Sequence, residues 1–341
     1  MKSIVIAILC LIEVSAAVSV HSVAQGQTNA PLKLNKTFPL RSVVGRFDHF
    51  AFDESGSRLF IAATGNHTVE VLDIHNGVVT ESITGLGKPH GLAWIADQGK
   101  LFVADGTLAA LKVYSGSPLK LTATLPLSDD ADDMVYDSAT KLLYVGHGGG
   151  SPTIPGRIAV VNTTDNTLVA SLPASAHPEA LDIDPVGRRI FANIADSSEI
   201  VVIDAATHTI INTWKIARGK DNVPVAYDAE DQALLLGCRT PAKAVSVDTT
   251  TGKEVSDLPS ATGADDIFYE ASTHRAYLVS GSGNVDVYQV AADKSIKSLG
   301  TVKTSLGAKT GLLVPLLHVL FVGVPAAGSE PAQIRQYATG Q

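Results

Sequence analysis

"SRLFIA", residues 57–62, returns along the chain as "GKLFVA" (99–104), "KLLYVG" (141–146) and "RRIFAN" (188–193), then as "QALLLG" (232–237), "HRAYLV" (274–279) and "HVLFVG" (318–323). The copies are spaced by roughly 41–47 residues, the period of a β-propeller blade. A short run precedes each copy: "HFAF", "GLAW", "DMVY", "EALDI", "PVAY", "DIFY" and "GLLV". A polar turn such as "DESGS" or "DPVGR" joins the two. A third run follows, such as "TVEVLDI", "RIAVVNT" or "EIVVIDA", and then an outer one, such as "GVVTESI" or "HTIINTW". β-Branched content and Asp/Asn/Gly turns mark these as strands. No stretch sustains helical periodicity. The pattern predicts an all-β fold, a seven-bladed β-propeller of four-stranded blades.

A ring of blades has to close. The last copy ends with "AQIRQYA" (332–338) and lacks an outer strand, while "LKLNKTF" (32–38) precedes the first copy. The N-terminal segment is therefore expected to pair as the outer strand of the final blade, which would leave no frayed edge.

Composition agrees with one large exported domain. The 341 residues are 45% hydrophobic and 18% charged, which excludes bulk disorder. Residues 1–24 read as a signal peptide: Lys2, an apolar run, and small residues "SVA" before Gln25. Residues 25–31 form a linker and 32–341 the propeller. After cleavage no run is long enough to span a membrane, so a periplasmic or extracellular monomer is expected. The net charge of −8 and the absence of a Lys/Arg cluster argue against nucleic acid and favour cations as partners. Cys238 is the one cysteine of the mature chain and reads as a small buried hydrophobe.

The repeats resemble the exported YVTN-type, YncE-like β-propellers. "VEVLDIHNG", "IAVVNTTDN" and "IVVIDAATH" carry the resemblance, together with "GRFDHFAFD", "DDADDMVYD" and "ATGADDIFYE". It implies the fold over the whole mature chain and leaves the activity open, because such proteins include binders.

The acidic pairs in "DDADDMVYD" (129–137) and "GADDIFYE" (263–270) gain an address from the repeat. The column just before each inner strand reads Asp48, His90, Asp132, Glu179, Val223, Asp265, Thr310, and the next reads His49, Gly91, Asp133, Ala180, Pro224, Asp266, Gly311. In a propeller all these positions ring the mouth of the central channel. Loops between second and third strands open on the same face and would add His67, Asp105, His147 and Arg239; His75, His208 and His274 belong to the opposite face.

Carboxylates crowded at 4 Å repel by about 4 kcal/mol at an effective dielectric of 20, which a bound cation would relieve. The expected metal ligands are Asp48, His49, His90, Asp132, Glu179 and Asp265, for a divalent metal, Ca²⁺ or a transition ion. Asp133, His147, Arg239 and Asp266 are expected to bind a small molecule or protein at the mouth. The alternative is a metal-dependent, lactonase-like hydrolase with His49 or His90 shuttling protons. "HGGG" (147–150) lacks the G-x-S-x-G elbow of an esterase and reads as a blade loop.

Overall fold

A computed structural model describes residues 30–340; the expected signal peptide and most of the expected linker lie outside the described residues. Twenty-eight strands form seven antiparallel sheets of four. Six sheets are consecutive meanders: residues 50–83, 89–126, 134–173, 178–215, 220–259 and 264–303. These are blades 1 to 6. Blade 7 combines Gly311–Val314, Val319–Val324 and Ala332–Ala338 with the N-terminal strand Lys33–Leu40. Each inner strand packs against the next, and that of blade 7 meets that of blade 1, so the ring is closed. Described residues contain no α-helix, only three short 3₁₀ turns, and none is long and apolar enough to cross a membrane.

The sequence pattern has a direct packing cause. A blade is covered on both faces by its neighbours, so its middle strands are apolar at consecutive positions rather than alternate ones. Leu59, Phe60, Ile61, Ala62 and Ala63 are all fully buried. The buried side chains fall into seven clusters, one between each pair of neighbouring blades. Cys238 belongs to the cluster between blades 4 and 5, as a buried hydrophobe. Outer strands border solvent on their free edge, and Val78, Leu121, Leu168 and Ile210 are exposed there.

In blades 1, 3, 4, 5 and 6 the inner strand ends in an acid at the turn, whereas in blades 2 and 7 it ends in Ile95 and Val314 and a 3₁₀ turn follows. Asp53 accepts bonds from the Ser55 hydroxyl and the Arg58 guanidinium. Asp184 accepts the amides of Val186 and Gly187 and the guanidinium of Arg189. These Asx-type bonds reverse the chain tightly. Because the first three strands of every blade run as a meander, all inner strands start on one face, which the loops between second and third strands share. One loop differs from expectation. "CRTPAK" is not an open loop: strands Ala233–Thr240 and Ala242–Asp248 leave only Pro241 between them, with Arg239 paired to Ala242.

Closure runs through the N-terminal strand, which pairs antiparallel with Ala332–Ala338, Phe38 opposite Ile334. Phe38 and Leu40 point inward to Leu59, Ile61 and Phe321, tying blade 7 to blade 1. Phe38→Ala should cost about 3–5 kcal/mol, read as a lower denaturation midpoint. Leu34→Ala, on the exposed face of the same strand, should change stability by less than about 0.5 kcal/mol. Equal effects would mean that the strand does not close the ring.

Candidate functional site

The inner strands do not begin as regular strands. Register shifts fall between Pro89 and Leu92, Pro178 and Ala180, Asn222 and Val225, and Ala264 and Asp266. His90, Glu179, Val223 and Asp265 sit in these bulges. A bulge re-aims the extra residue, so consecutive side chains can both face the channel instead of alternating. In blades 1 and 3 the same segments are held by backbone bonds: the Asp48 amide donates to Ala62 O at 2.9 Å and the Asp132 amide to Gly146 O at 2.9 Å.

A cavity of about 190 Å³ at the mouth is lined by Asp48, His49, His90, Asp132, Glu179, Val223 and Asp265, which is all of the first column but Thr310, with His49 from the second. It also takes residues that the column alignment passed over: Arg46, Lys88, Asp130, His177 and Lys309. Four of these stand two residues before a first-column residue, and Lys309 stands two before Gly311 of the second. That is the period-two spacing of an extended strand, and it was the available signal for them.

Asp132 sits at the junction of two groups. On one side, His90 Nδ1 lies 3.0 Å from Asp48 Oδ2 and 3.1 Å from Asp132 Oδ1. His49 Nε2 lies 3.7 Å from Asp48 Oδ1 and 4.0 Å from Asp132 Oδ1. Asp132 Oδ1 is buried with no hydrogen-bond partner, so its 3.1 Å approach to His90 has ion-pair spacing without hydrogen-bond direction. On the other side, His177 Nε2 lies 3.3 Å from Asp132 Oδ2, and Glu179 completes this second group. Asp48, His49 and Asp132 can meet at one ion, and so can Asp132, His177 and Glu179.

Close backbone approach makes this possible. A Cβ on Gly91 would lie 2.3 Å from Asp132 O, so glycine lets blade 3 bring Asp132 against His90. The glycines of "HGGG" have a related role. A Cβ on Gly149 would lie 2.5 Å from the His177 amide nitrogen, and Gly148 O accepts from His177 Nδ1 at 2.7 Å.

The remaining expected site residues are placed differently. Asp265 is held by both Arg239 and Lys309 and stands outside both His-containing groups; it is paired rather than waiting for a cation. Asp133 and Asp266 turn down the channel and accept the amides of Leu181 and Gly311 on the next blade, at 2.8 Å each. They line a second cavity of about 390 Å³ with Asp182, which accepts the Tyr227 amide at 2.6 Å. His49 borders both cavities, with Nδ1 3.3 Å from Asp266 Oδ1.

His147 lines neither cavity: it is buried and its Nδ1 accepts the Ser128 amide at 3.0 Å. Asp105 is buried and accepts the amides of Gly87 and Lys88. His67 is exposed and contacts Gly87 O. Asp105 and His147 end the second strands of their blades, and all three use their polar atoms on neighbouring backbone. The mouth is also less acidic than the columns implied, because Lys88 pairs with Asp130 at 3.0 Å and Arg46 approaches Asp48 at 3.6 Å.

Burial opposes charge on the three site histidines, yet the carboxylates outweigh it. His90 is raised to about 9 by Asp132 and Asp48, and His177 to about 9 chiefly by Asp132. His49 is raised well above its usual value, with Asp266 the main partner. Asp132 is held well below the carboxylate range: burial works against this, and His90 and His177 prevail. Glu179 goes the other way, pushed up to about 6 by burial and Asp132. His147 is lowered to about 4, by burial first, and is neutral.

A histidine raised in the folded state stabilises it fully below the unfolded value and loses that contribution as pH rises through the folded one. For His90 and His177 the window runs from about 6.5 to about 9. The loss is on the order of 3 kcal/mol each at most. The metal-free chain should therefore melt at a lower temperature at pH 9.5 than at pH 6.5, and His90→Gln should shrink that difference. A difference unchanged in His90→Gln would show that its charge pairs do not stabilise the mouth.

No protein-family model matches the chain. A stretch of 137 residues, 39% of the chain, is 26% identical to the seven-bladed β-propeller protein Rv1057 of Mycobacterium tuberculosis (strain ATCC 25618 / H37Rv) and spans 34% of that protein's length. Among solved structures, the chain resembles hydrazine synthase of Kuenenia stuttgartiensis, with TM-score 0.72 and 17% identity over 82% of this chain and 92% of that one. A chain of the mitotic checkpoint complex gives TM-score 0.75 and 13% identity, covering 97% and 98%. U3-55K gives 0.74 and 12%, covering 89% and 98%. At such identities the likeness shows the fold alone.

Proposed function

We propose that this chain is an exported, monomeric, YVTN/YncE-like β-propeller that binds a divalent transition-metal ion at its channel mouth, and with it a small anionic ligand. Residues 1–24 support export, and the repeat motifs support the family. His49 carries the metal reading. Its Nδ1 faces the Asp266 carboxylate at 3.3 Å and its Nε2 faces Asp48 and Asp132. A carboxylate engaged by one ring nitrogen fixes the tautomer and leaves the other nitrogen as an electron-pair donor.

Spacing supports the same reading. Bonds of 2.0–2.1 Å in a tetrahedral site put ligand atoms about 3.3 Å apart. The separations of 3.7 and 4.0 Å from His49 Nε2 to Asp48 and Asp132 lie within 1 Å of that value, whereas His90, expected as a ligand, falls outside both metal-competent groups. Imidazole nitrogens favour zinc, copper, iron or nickel over calcium. Arg46, Lys88, Arg239 and Lys309 surround the open side. A ligand approaching the ion meets these cations, which favours a small carboxylate or another oxyanion.

Metal-free protein titrated with Zn²⁺ should bind it, more tightly at pH 8.5 than at pH 6.5, because the ion must displace the histidine protons. Asp48→Ala should abolish tight binding at the site that Asp48, His49 and Asp132 form. Asp266→Asn, which does not reach the ion, should weaken it roughly 10–100-fold. No Zn²⁺ binding by the folded wild type would sink this reading. The lactonase-like alternative uses the same mouth, but His49 stands among the donor groups and His90 Nδ1 is engaged by Asp48 and Asp132, so both are poorly placed as proton shuttles. Chelator-sensitive turnover of a lactone or ester panel would make it the better description; an ion bound without turnover supports binding.

A further inference from the structure

We propose that the mouth holds two divalent ions bridged by the Asp132 carboxylate, the second in the bay of His177 and Glu179. The inference rests on the metal reading above and adds a distinct site to it. Asp132 presents its two oxygens to different partners: Oδ1 to His90 and His49, Oδ2 to His177. The two metal-competent groups share Asp132 and no other residue.

The second bay is organised from outside itself. His177 is buried, and its Nδ1–H is taken by the backbone carbonyl of Gly148 at 2.7 Å. That bond aims Nε2 at Asp132 Oδ2, to which it donates a proton in the metal-free chain; an ion that displaces this proton meets the Nε2 lone pair, oriented as second-sphere acceptors orient metal-bound histidines. Glycine is required for the cradle. A Cβ on Gly149 would lie 2.5 Å from the His177 amide nitrogen, and one on Gly156 would lie 1.8 Å from Ala176 O. The loop Gly148–Gly156 therefore sits directly on the segment that carries His177. The approach seats the imidazole beside Glu179 and Asp132.

The ligand set follows. The first ion takes Asp48, His49 and Asp132 Oδ1. The second takes Asp132 Oδ2, His177 and Glu179. Two ions on one bridging carboxylate form a clamp for both oxygens of a carboxylate or phosphoryl group. This matches a mouth ringed by Lys88, Arg239 and Lys309.

Metal per chain decides the matter. Full mature protein, stripped and reloaded with Zn²⁺ at pH 8, is desalted and analysed by elemental mass spectrometry, with circular dichroism and melting temperature as fold controls. The expected result is two ions in wild type, one in Glu179→Gln and in His177→Ala, one in Asp48→Asn, and fewer than one in Asp132→Asn. With Mn²⁺ as probe, wild type should give a spin-coupled resonance that Glu179→Gln converts to an isolated one. One ion in wild type, unaffected by Glu179→Gln, overturns the second site and leaves the first. Two ions retained in both Glu179→Gln and His177→Ala also overturn it. No ion at all overturns the metal reading itself.

Discussion

Burial of every sheet on both faces by its two neighbours is the constraint on which the rest of this molecule depends. A single blade could not meet it alone. Phe60, Phe102, Phe191 and Phe321 are fully buried in middle strands, each on its own blade. Burying such a side chain stabilises by about 1.5–3 kcal/mol relative to leaving it exposed, and that gain exists only when the next blade is present. An open row of blades would leave two apolar faces in water. Ring closure removes them, and the strand Lys33–Leu40 secures the closure by hydrogen-bonding the first described segment to the last.

Closure also manufactures the mouth. Groups that meet around Asp132 come from blades 1, 2, 3 and 4, and the cation pair on Asp265 comes from blades 5 and 7. Within each blade they are ordinary strand-start residues. Bulges let neighbouring side chains share the channel, and Gly91 lets the backbone of blade 3 come close enough for His90 to touch two carboxylates. The resulting electrostatics are local pairings. Imidazolium–carboxylate pairs occupy one side, Arg239 and Lys309 hold Asp265 on the other, and deeper carboxylates accept amides of the following blade. The net charge of −8 therefore says little about this surface.

The column alignment located the mouth because each copy begins at the same phase of the ring. It separated less well what each residue does there. Asp133 and Asp266 looked equivalent to Asp132 and Asp265, yet one residue's advance along the strand turned them from the mouth to the inner channel and to the neighbouring blade's amides. His147 stood in a loop on the expected face but was drawn inward to cap the Ser128 amide. His177 was missed because it precedes its column by two residues, although "AHPEA" (176–180) displays it openly.

From its sequence alone this chain declared seven repeats, four strands in each, the closing role of residues 32–38 and the ring of polar positions at the inner-strand starts. These follow from local periodicity and turn chemistry, which are written in order along the chain. Tertiary structure decided which of those polar groups touch, which are neutralised by Lys309 and Arg239, and that Asp132 serves two groups at once. The reason is physical: these contacts join residues of different blades, some more than 40 positions apart. Their distances are set by how closely one backbone approaches another, a quantity no single repeat contains.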